Sequence, residues 1–140
     1  MDYKKIGLLG GRGYVGQEII ELLNNHKYLN ISSVFSSSKA GQSLHINTGK
    51  DLLYQDLSID KIDFSDEDAF ILALPNNKSQ DYIDLIDRHN PQAIIIDLSS
   101  DHRFDDAWQY RVPELSGKVQ SVKISNPGCY ASAMQFMLAP

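Results

Sequence analysis

Several features are scarce in this chain. Its 140 residues include one cysteine, which excludes an internal disulfide and is usual in a reducing compartment, so we expect a cytoplasmic location. The longest apolar run, residues 69–74, is far shorter than the roughly 20 residues of a membrane span. No apolar stretch near the first residue is long enough for a signal peptide. The formal net charge of -5 and the absence of a basic run disfavour nucleic acid as a partner.

What is present is typical of a globular domain. Apolar residues make up 42% of the chain and charged residues 22%, and residues 1–140 fit one domain. The apolar segment 134–138 is still at helical spacing where the sequence stops. We therefore expect that the sequence is a piece of a longer protein, with a further domain beyond it.

Short apolar runs alternate with helical patterns, which predicts an α/β fold with a parallel sheet and crossover helices. Residues 39–68 are polar and weakly periodic, and we expect a loop there with one short strand near 52–54. The continuous apolar character of residues 93–98 predicts burial on both faces. The predicted strands are residues 6–9, 29–35, 70–74, 93–98 and 119–124.

Three helices are predicted. The first follows a glycine loop and places Val15, Ile19, Leu22 and Leu23 on one face. The second begins near residue 79, where Asn77 and Gln80 have capping-box spacing, and it carries its apolar face at 82, 85, 86 and 89. The third begins at residue 129, after an Asn-Pro-Gly turn.

The glycine loop follows the first strand and opens the first helix. In this context the G-x-G-x-x-G pattern predicts a dinucleotide site, because glycines allow a tight turn and a close approach of the backbone to pyrophosphate. The helix N-terminus offers free N–H groups to the phosphates. The alternative is a glycine-rich turn without a ligand. We predict a Rossmann-like, doubly wound sheet with helices on both faces and a cofactor loop formed by Gly10, Gly11, Arg12, Gly13, Tyr14, Val15 and Gly16.

The end of the second strand indicates which dinucleotide is bound. An NAD site usually has an acidic residue there for the ribose hydroxyls, whereas this chain has Ser36, Ser37, Ser38 and Lys39. Hydroxyl and ammonium groups suit a 2′-phosphate, so we predict NADP with contacts from Ser36, Ser38 and Lys39. The alternative is a solvated loop that discriminates poorly.

Cys129 stands at the predicted start of the third helix. Free N–H groups and the helix dipole favour the thiolate at such a position, and a thiolate is the nucleophile that forms thioesters. A dinucleotide and a reactive thiol on one sheet suggest reduction of an acyl group. The alternative is a small buried hydrophobic residue.

Four segments together resemble a known family. They are GGRGYVG at 10–16, IDLSSDHRF at 96–104, VPEL at 112–115 and NPGCY at 126–130. In this order they resemble the N-acetyl-gamma-glutamyl-phosphate reductases of the semialdehyde dehydrogenase superfamily, which act in arginine biosynthesis. The resemblance spans nearly the whole chain, and the NPGCY segment is its most specific part.

The resemblance implies a mechanism and further site residues. The Cys129 thiolate would attack N-acetyl-glutamyl phosphate and release phosphate, and NADPH would reduce the thioester to N-acetyl-glutamate semialdehyde. Leu74 and Pro75 would lie beside the cofactor. Arg103 would bind the substrate phosphate, although a loop salt bridge to a nearby aspartate is equally open. Asn126 would orient the substrate carbonyl or, as we favour, fix the turn before the cysteine.

Some family features are altered or missing. Asn76 and Asn77 stand where the family often has His-Gly, and Ala131 and Ser132 follow the Cys-Tyr pair in place of Pro-Thr. The family's general acid/base is a histidine in a second domain that also forms homo-oligomers, and no histidine here matches it. We therefore expect this chain alone to be inactive or nearly so, and the longer protein to be a homo-oligomer without a metal.

Two other functions remain open. Aspartate-semialdehyde dehydrogenase shares the fold, the cofactor and the cysteine chemistry, but its cysteine segment typically lacks the Pro-Gly pair. A Rossmann-like module that binds NADP and performs no chemistry is the alternative from another class. An unreactive Cys129 would favour the module, and a reactive thiolate would favour an enzyme.

Overall fold

The computed structural model describes residues 3–46 and 51–139. These residues form a sheet of eight strands in the spatial order β3-β4-β2-β1-β5-β6-β8-β7, parallel throughout except between β3 and β4. The strands are β1 (Lys4–Leu9), β2 (Leu29–Phe35), β3 (Ser43–His45), β4 (Asp51–Gln55), β5 (Ala69–Leu72), β6 (Ile94–Asp97), β7 (Gln109–Tyr110) and β8 (Lys123–Ser125). The helices are α1 (Tyr14–Leu23), α2 (Gln80–His89) and α3 (Cys129–Leu138).

The sheet has an apolar core on each face. Neighbouring strand residues point to opposite faces, so Leu8 packs in the cluster that contains Ile20 of α1, whereas Leu9 packs in the cluster that contains Ile86 of α2. All four side chains are buried. Helices therefore cover both faces, and the predicted doubly wound, mostly parallel Rossmann-like fold is confirmed.

The buried face of α1 differs from the predicted one. Gly16, Ile20 and Leu23 are its buried residues, whereas Val15 and Leu22 are 55% and 73% exposed. The prediction placed Val15 and Leu22 in the core and was wrong there. Gly16 has no side chain and packs against the backbone of Gly10 and Gly11, which turns the stripe of Gly16, Ile20 and Leu23 toward the protein interior.

The segment 39–68 contributes more to the core than its pattern predicts. The predicted strand near 52–54 is present as β4, but β3 was missed because its three residues carry only one apolar side chain. Phe64 lies outside every strand and helix and is fully buried. Its ring meets Phe35 and Phe70 edge to face, with centroids 5.5 and 4.9 Å apart.

Replacing Phe64 by alanine should destabilise the chain strongly. The change removes a fully buried ring and leaves a cavity between two other rings, which costs about 3–5 kcal/mol. Urea unfolding followed by circular dichroism measures this loss. Phe104→Ala is the control, because Phe104 is 100% exposed. Equal stabilities of the two variants would contradict the described packing of residues 62–70.

The strands β6 and β8 differ from their predictions. The predicted strand 119–124 reduces to β8, and Val119 is 51% exposed. In β6 only Ile95 and Asp97 are buried, and Ile94 is 38% exposed, so the expected burial on both faces was wrong. Ile94 belongs to neither buried cluster, whereas its neighbours Ala93 and Ile95 pack in the cluster that contains Ile86 of α2.

The third helix begins at Cys129 as predicted, and none of its residues is buried. Its exposed apolar side chains are Tyr130, Met134, Phe136, Met137 and Leu138. Across residues 3–46 and 51–139, no helix combines the length and apolar character that crossing a bilayer requires.

Candidate functional site

The carboxyl ends of five parallel strands meet at one edge of the sheet. In spatial order these are β2, β1, β5, β6 and β8. The segments that follow them are residues 36–39, 10–16, 73–79, 98–104 and 126–129. Every predicted site residue belongs to one of these segments, so the topology brings the predicted cofactor loops and Cys129 to the same edge. Ligands of open α/β sheets bind at this edge.

The glycine loop is shaped by close packing. Gly10 has φ 88°, and the N–H groups of Gly10 and Gly11 both donate to the Phe35 carbonyl at 3.1 Å. A Cβ on Gly11 would collide with Val34, and one on Gly16 would collide with the backbone of Gly10 and Gly11. These glycines are therefore required by the fold of the loop itself.

Gly13 is different, because a Cβ there would have room. Its nearest neighbour would be the Gly10 carbonyl oxygen at 3.7 Å, and its φ of -63° suits any residue. Gly13 is the N-cap of α1, and no side chain of the described residues caps this helix. The free N–H groups of the first turn therefore face outward past a residue that has no side chain, as a bound phosphate requires.

Replacing Gly13 by alanine should weaken dinucleotide binding and leave the fold intact. The methyl group would stand where a pyrophosphate approaches the backbone, so we expect a loss of affinity of about tenfold or more. Calorimetric titration with NADPH measures the loss. Gly117→Ala is the matched control, since a Cβ there would meet nothing within 4 Å. Unchanged affinity in Gly13→Ala would argue against a phosphate at this loop.

A groove of about 410 Å³ runs along the glycine loop. It adjoins a second groove of about 530 Å³, with which it shares Ser37, Leu57, Leu74 and Pro75. The predicted cofactor residues that line the first groove are Gly10, Arg12, Gly13, Tyr14, Val15, Gly16, Ser36, Leu74 and Pro75. The structure thus brings together most of the predicted cofactor residues, while Gly11 packs beneath the loop and the predicted Ser38 and Lys39 are not part of the groove lining.

The contact between Tyr82 and Leu57, at the grooves, was not predicted from the sequence. The Tyr82 hydroxyl of α2 donates to the Leu57 carbonyl at 2.9 Å and holds this segment over the helix. Burial, followed by the nearby carboxylates of Asp81 and Asp56, raises the pKa of Tyr82, so its phenol stays protonated at neutral pH. Leu57 gave no signal because it lies in a weakly periodic segment, and Tyr82 was predicted only as an apolar face residue.

The end of β2 carries a cationic corner. The Arg12 guanidinium donates to the Ser38 hydroxyl at 2.9 Å, and both residues are exposed. The buried Ser36 hydroxyl accepts the N–H groups of Ser38 and Lys39 at 3.4 and 3.2 Å, so it shapes the turn. The Lys39 ammonium lies 5.5 Å from the centre of the Tyr54 ring. Arg12 and Ser38 are therefore the groups that face outward here.

The Cys129 side chain is exposed at the first residue of α3, after the N-cap Gly128. Arg103 lies across the turn before it. Its Nε donates to the Asn126 carbonyl at 3.1 Å and its Nη2 to the Leu98 carbonyl at 3.3 Å. A Cβ on Gly128 would lie 2.9 Å from Arg103 Nη1, so the guanidinium sits directly over this glycine.

The alternatives for Arg103 and Asn126 can be compared with these contacts. Among the described residues Arg103 forms no ion pair with Asp101 or Asp105, and its guanidinium lies over Gly128, the residue before Cys129. The Asn126 amide donates to the Pro127 carbonyl at 2.9 Å, within the turn itself. Cys129 thus lies at a helix N-terminus, and the Arg103 guanidinium lies over the residue before it; both features carry positive charge that suits an anionic ligand.

His102 is next to Arg103 in sequence but lies in the protein interior. It is buried, its ring stacks on Trp108 with centroids 4.3 Å apart, and its Nε2 lies 3.9 Å from Asp97. His102 therefore packs the loop and is not presented at the edge. Across residues 3–46 and 51–139, no group of three or more histidine, cysteine or acidic side chains could hold a metal.

The fold and this edge define a class of protein: a Rossmann-like domain with a groove along its glycine loop and a helix-terminal cysteine at the same edge of the sheet. The sequence profile described as "Semialdehyde dehydrogenase, NAD binding domain" matches residues 5–121. The chain belongs to this family of NAD(P)-binding domains.

Curated relatives narrow the similarity further. The chain is 43% identical to the N-acetyl-gamma-glutamyl-phosphate reductase of Xanthomonas axonopodis pv. citri, over 98% of this chain and 45% of that protein. It is 41% identical to the protein of the same name from Stenotrophomonas maltophilia, over 96% of this chain and 44% of the relative. The chain thus spans less than half the length of these relatives.

Solved structures share the fold. Aspartate semialdehyde dehydrogenase II of Vibrio cholerae, complexed with ASA, superposes with a TM-score of 0.85 and 20% identity, over 98% of this chain and 45% of that one. The aspartate semialdehyde dehydrogenase of Candida albicans, solved with NADP, gives a TM-score of 0.76 and 19% identity, over 96% and 45% of the two chains.

Proposed function

We propose that this chain is the NADP-binding part of an N-acetyl-gamma-glutamyl-phosphate reductase and carries the nucleophile, Cys129. The reaction is the reduction of N-acetyl-glutamyl phosphate to N-acetyl-glutamate semialdehyde, a step of arginine biosynthesis. The observation that carries the proposal is that the dinucleotide groove and the exposed Cys129 share one edge of the sheet. The names of the relatives support the choice of substrate.

The groove residues suit NADP. The pyrophosphate fits the first turn of α1, where Gly13 leaves the space that a Cβ would fill. A 2′-phosphate fits the corner of Arg12 and Ser38, because a guanidinium and a hydroxyl both donate to phosphate oxygens, and residues 36–39, which follow β2, include no acidic residue that would hold a ribose hydroxyl. When bound, NADPH supplies the hydride that converts a thioester to an aldehyde.

The chain's own residues perform the acyl transfer. The Cys129 thiolate attacks the acyl carbon, the bond from that carbon to the phosphate oxygen breaks, and inorganic phosphate leaves with the electron pair. Arg103 stands where it can bind the phosphate group, and the free N–H groups of α3 stabilise the negative charge near Cys129. After hydride transfer, the carbon–sulfur bond breaks and the thiolate is regenerated.

A single-turnover acylation assay tests the proposal. Without NADPH, N-acetyl-glutamyl phosphate should form one thioester on Cys129 and release an equivalent amount of phosphate, because the chain holds both the nucleophile and the phosphate-binding arginine. Intact mass spectrometry and phosphate release measure the two products. β-Aspartyl phosphate is the comparison substrate and should react much more slowly.

Other outcomes favour the other functions. Faster acylation by β-aspartyl phosphate would support an aspartate-semialdehyde dehydrogenase. Retained NADPH binding, with no acylation by either compound and with an iodoacetamide-reactive Cys129, would support a binding module and contradict the proposed reductase.

A further inference from the structure

Two of the loops at the sheet edge are joined by polar contacts. The Asp101 carboxylate, after β6, accepts the N–H of Asn77 at 2.7 Å and the hydroxyl of Ser79 at 3.3 Å, both after β5. In the opposite direction, the Asn76 side-chain oxygen accepts the N–H of Ser100 at 3.1 Å. These three contacts span 22 to 24 residues of sequence, and they fix residues 76–79 against residues 100–101.

The backbone conformation of Asn77 is one that these contacts stabilise. It has φ 61°, the left-handed region in which a residue other than glycine is uncommon and asparagine is among the better tolerated types. Its N–H is the one that the Asp101 carboxylate accepts at 2.7 Å, a charge-assisted bond. The negative charge of Asp101 therefore stabilises a turn that its backbone alone does not favour.

The segment that carries Asp101 also holds the turn before Cys129. Arg103, two residues further on, donates to the Asn126 carbonyl at 3.1 Å and lies over Gly128. The Asp97 carbonyl, at the end of β6, accepts the N–H of Asn126 at 2.9 Å. Residues 97–103 thus contact the cofactor-side loop on one flank and the cysteine turn on the other.

We propose that Asp101 is a positioning residue that sets the cofactor-side loop, with Leu74 and Pro75 in the groove, at a fixed place relative to Cys129. The inference rests on the proposed function, in which the hydride donor must reach a carbonyl held on Cys129. Asp101 itself lines neither groove, and its carboxylate forms its hydrogen bonds with Asn77 and Ser79. It acts through Asn77 and Ser79 on one side and through the chain to Arg103 on the other.

The test separates cofactor affinity from cofactor placement. A correctly placed nicotinamide ring covers Cys129, so saturating NADPH should slow alkylation of Cys129 by iodoacetamide several-fold in the unaltered chain. In Asp101→Ala, NADPH affinity should fall by about tenfold or less, because the two hydrogen bonds to the Asp101 carboxylate are lost while the glycine loop remains. At saturating NADPH, however, the protection of Cys129 should disappear.

Three further variants sharpen the result. Asp101→Asn keeps an acceptor for the Asn77 N–H and should retain part of the protection. Asn76→Ala removes the hydrogen bond between the Ser100 N–H and the Asn76 side chain. Asn76 is exposed, so this variant should fold, and protection of Cys129 by NADPH should fall. Asp106→Ala is the charge-matched control, because it removes an exposed carboxylate from the same segment. In this variant NADPH should protect Cys129 fully.

The outcomes distinguish this inference from the proposed function. If the unaltered chain fails to bind NADPH, the proposed function fails. If it binds and protects, and both Asp101→Ala and Asn76→Ala protect equally well, only the positioning role of Asp101 is wrong. Binding without any protection in the unaltered chain also overturns the positioning role. Should Asp101→Ala not fold, Asn76→Ala and Asp101→Asn decide the question.

Discussion

Replacing Cys129 by serine should abolish acylation by N-acetyl-glutamyl phosphate. The two side chains are similar in size, but an alcohol is a much weaker nucleophile than a thiol and cannot form a thioester. We expect the acylation rate to fall at least about 1,000-fold, the scale on which loss of a covalent nucleophile acts. Intact mass spectrometry combined with phosphate release follows the rate.

The variant should otherwise behave like the parent chain. Cys129 is exposed and packs against no buried residue of α3, so stability and NADPH affinity should be unchanged. Met134→Ala, an exposed position on the same helix, is the control for surface changes and should acylate normally. Acylation of Cys129→Ser at a rate near that of the parent would mean that another group is the nucleophile.

Replacing Arg12 by glutamine should reduce the preference for NADPH. The guanidinium donates to the Ser38 hydroxyl at 2.9 Å at the end of β2, where we propose that the 2′-phosphate of NADP binds. Losing its charged hydrogen bonds should weaken NADPH binding about 10- to 100-fold. NADH has no 2′-phosphate for Arg12 to contact. Its affinity should therefore change by less than about twofold. Calorimetric titrations of both cofactors give the ratio.

A matched variant controls for net charge. Lys118→Gln removes one positive charge from an exposed loop before β8, away from β2, and should leave both affinities nearly unchanged. Equal weakening of NADPH and NADH in Arg12→Gln would place Arg12 at the pyrophosphate and leave the preference for NADP to other residues.

Local sequence patterns predicted an element correctly where the residues of the pattern are also the residues that the packing requires. The glycine loop is one case, because Gly11 and Gly16 leave no room for a Cβ in the loop and the motif states that requirement directly. The third helix is another, because a Pro-Gly turn must precede its first residue. The buried face of α1 was missed because Val15 and Leu22 are apolar yet exposed, and apolar character alone does not distinguish the two situations.

The polar contacts of the site could not be predicted from the sequence, for a different reason. Arg12 meets Ser38 across 26 residues, Tyr82 meets Leu57 across 25, and Asn77 meets Asp101 across 24. Each contact depends on the order of strands in the sheet, and no local period encodes that order. The segments that carry chemistry could therefore be predicted, whereas the contacts that place them relative to one another required the structure.

Calorimetric titration of the chain with NADPH and with NADH decides whether the glycine-loop edge is an NADP site. One NADPH should bind per chain in a saturable way and NADH should bind much more weakly, because only NADPH carries the phosphate that we propose Arg12 and Ser38 bind. Failure of a chain that circular dichroism shows to be folded to bind either cofactor would contradict it.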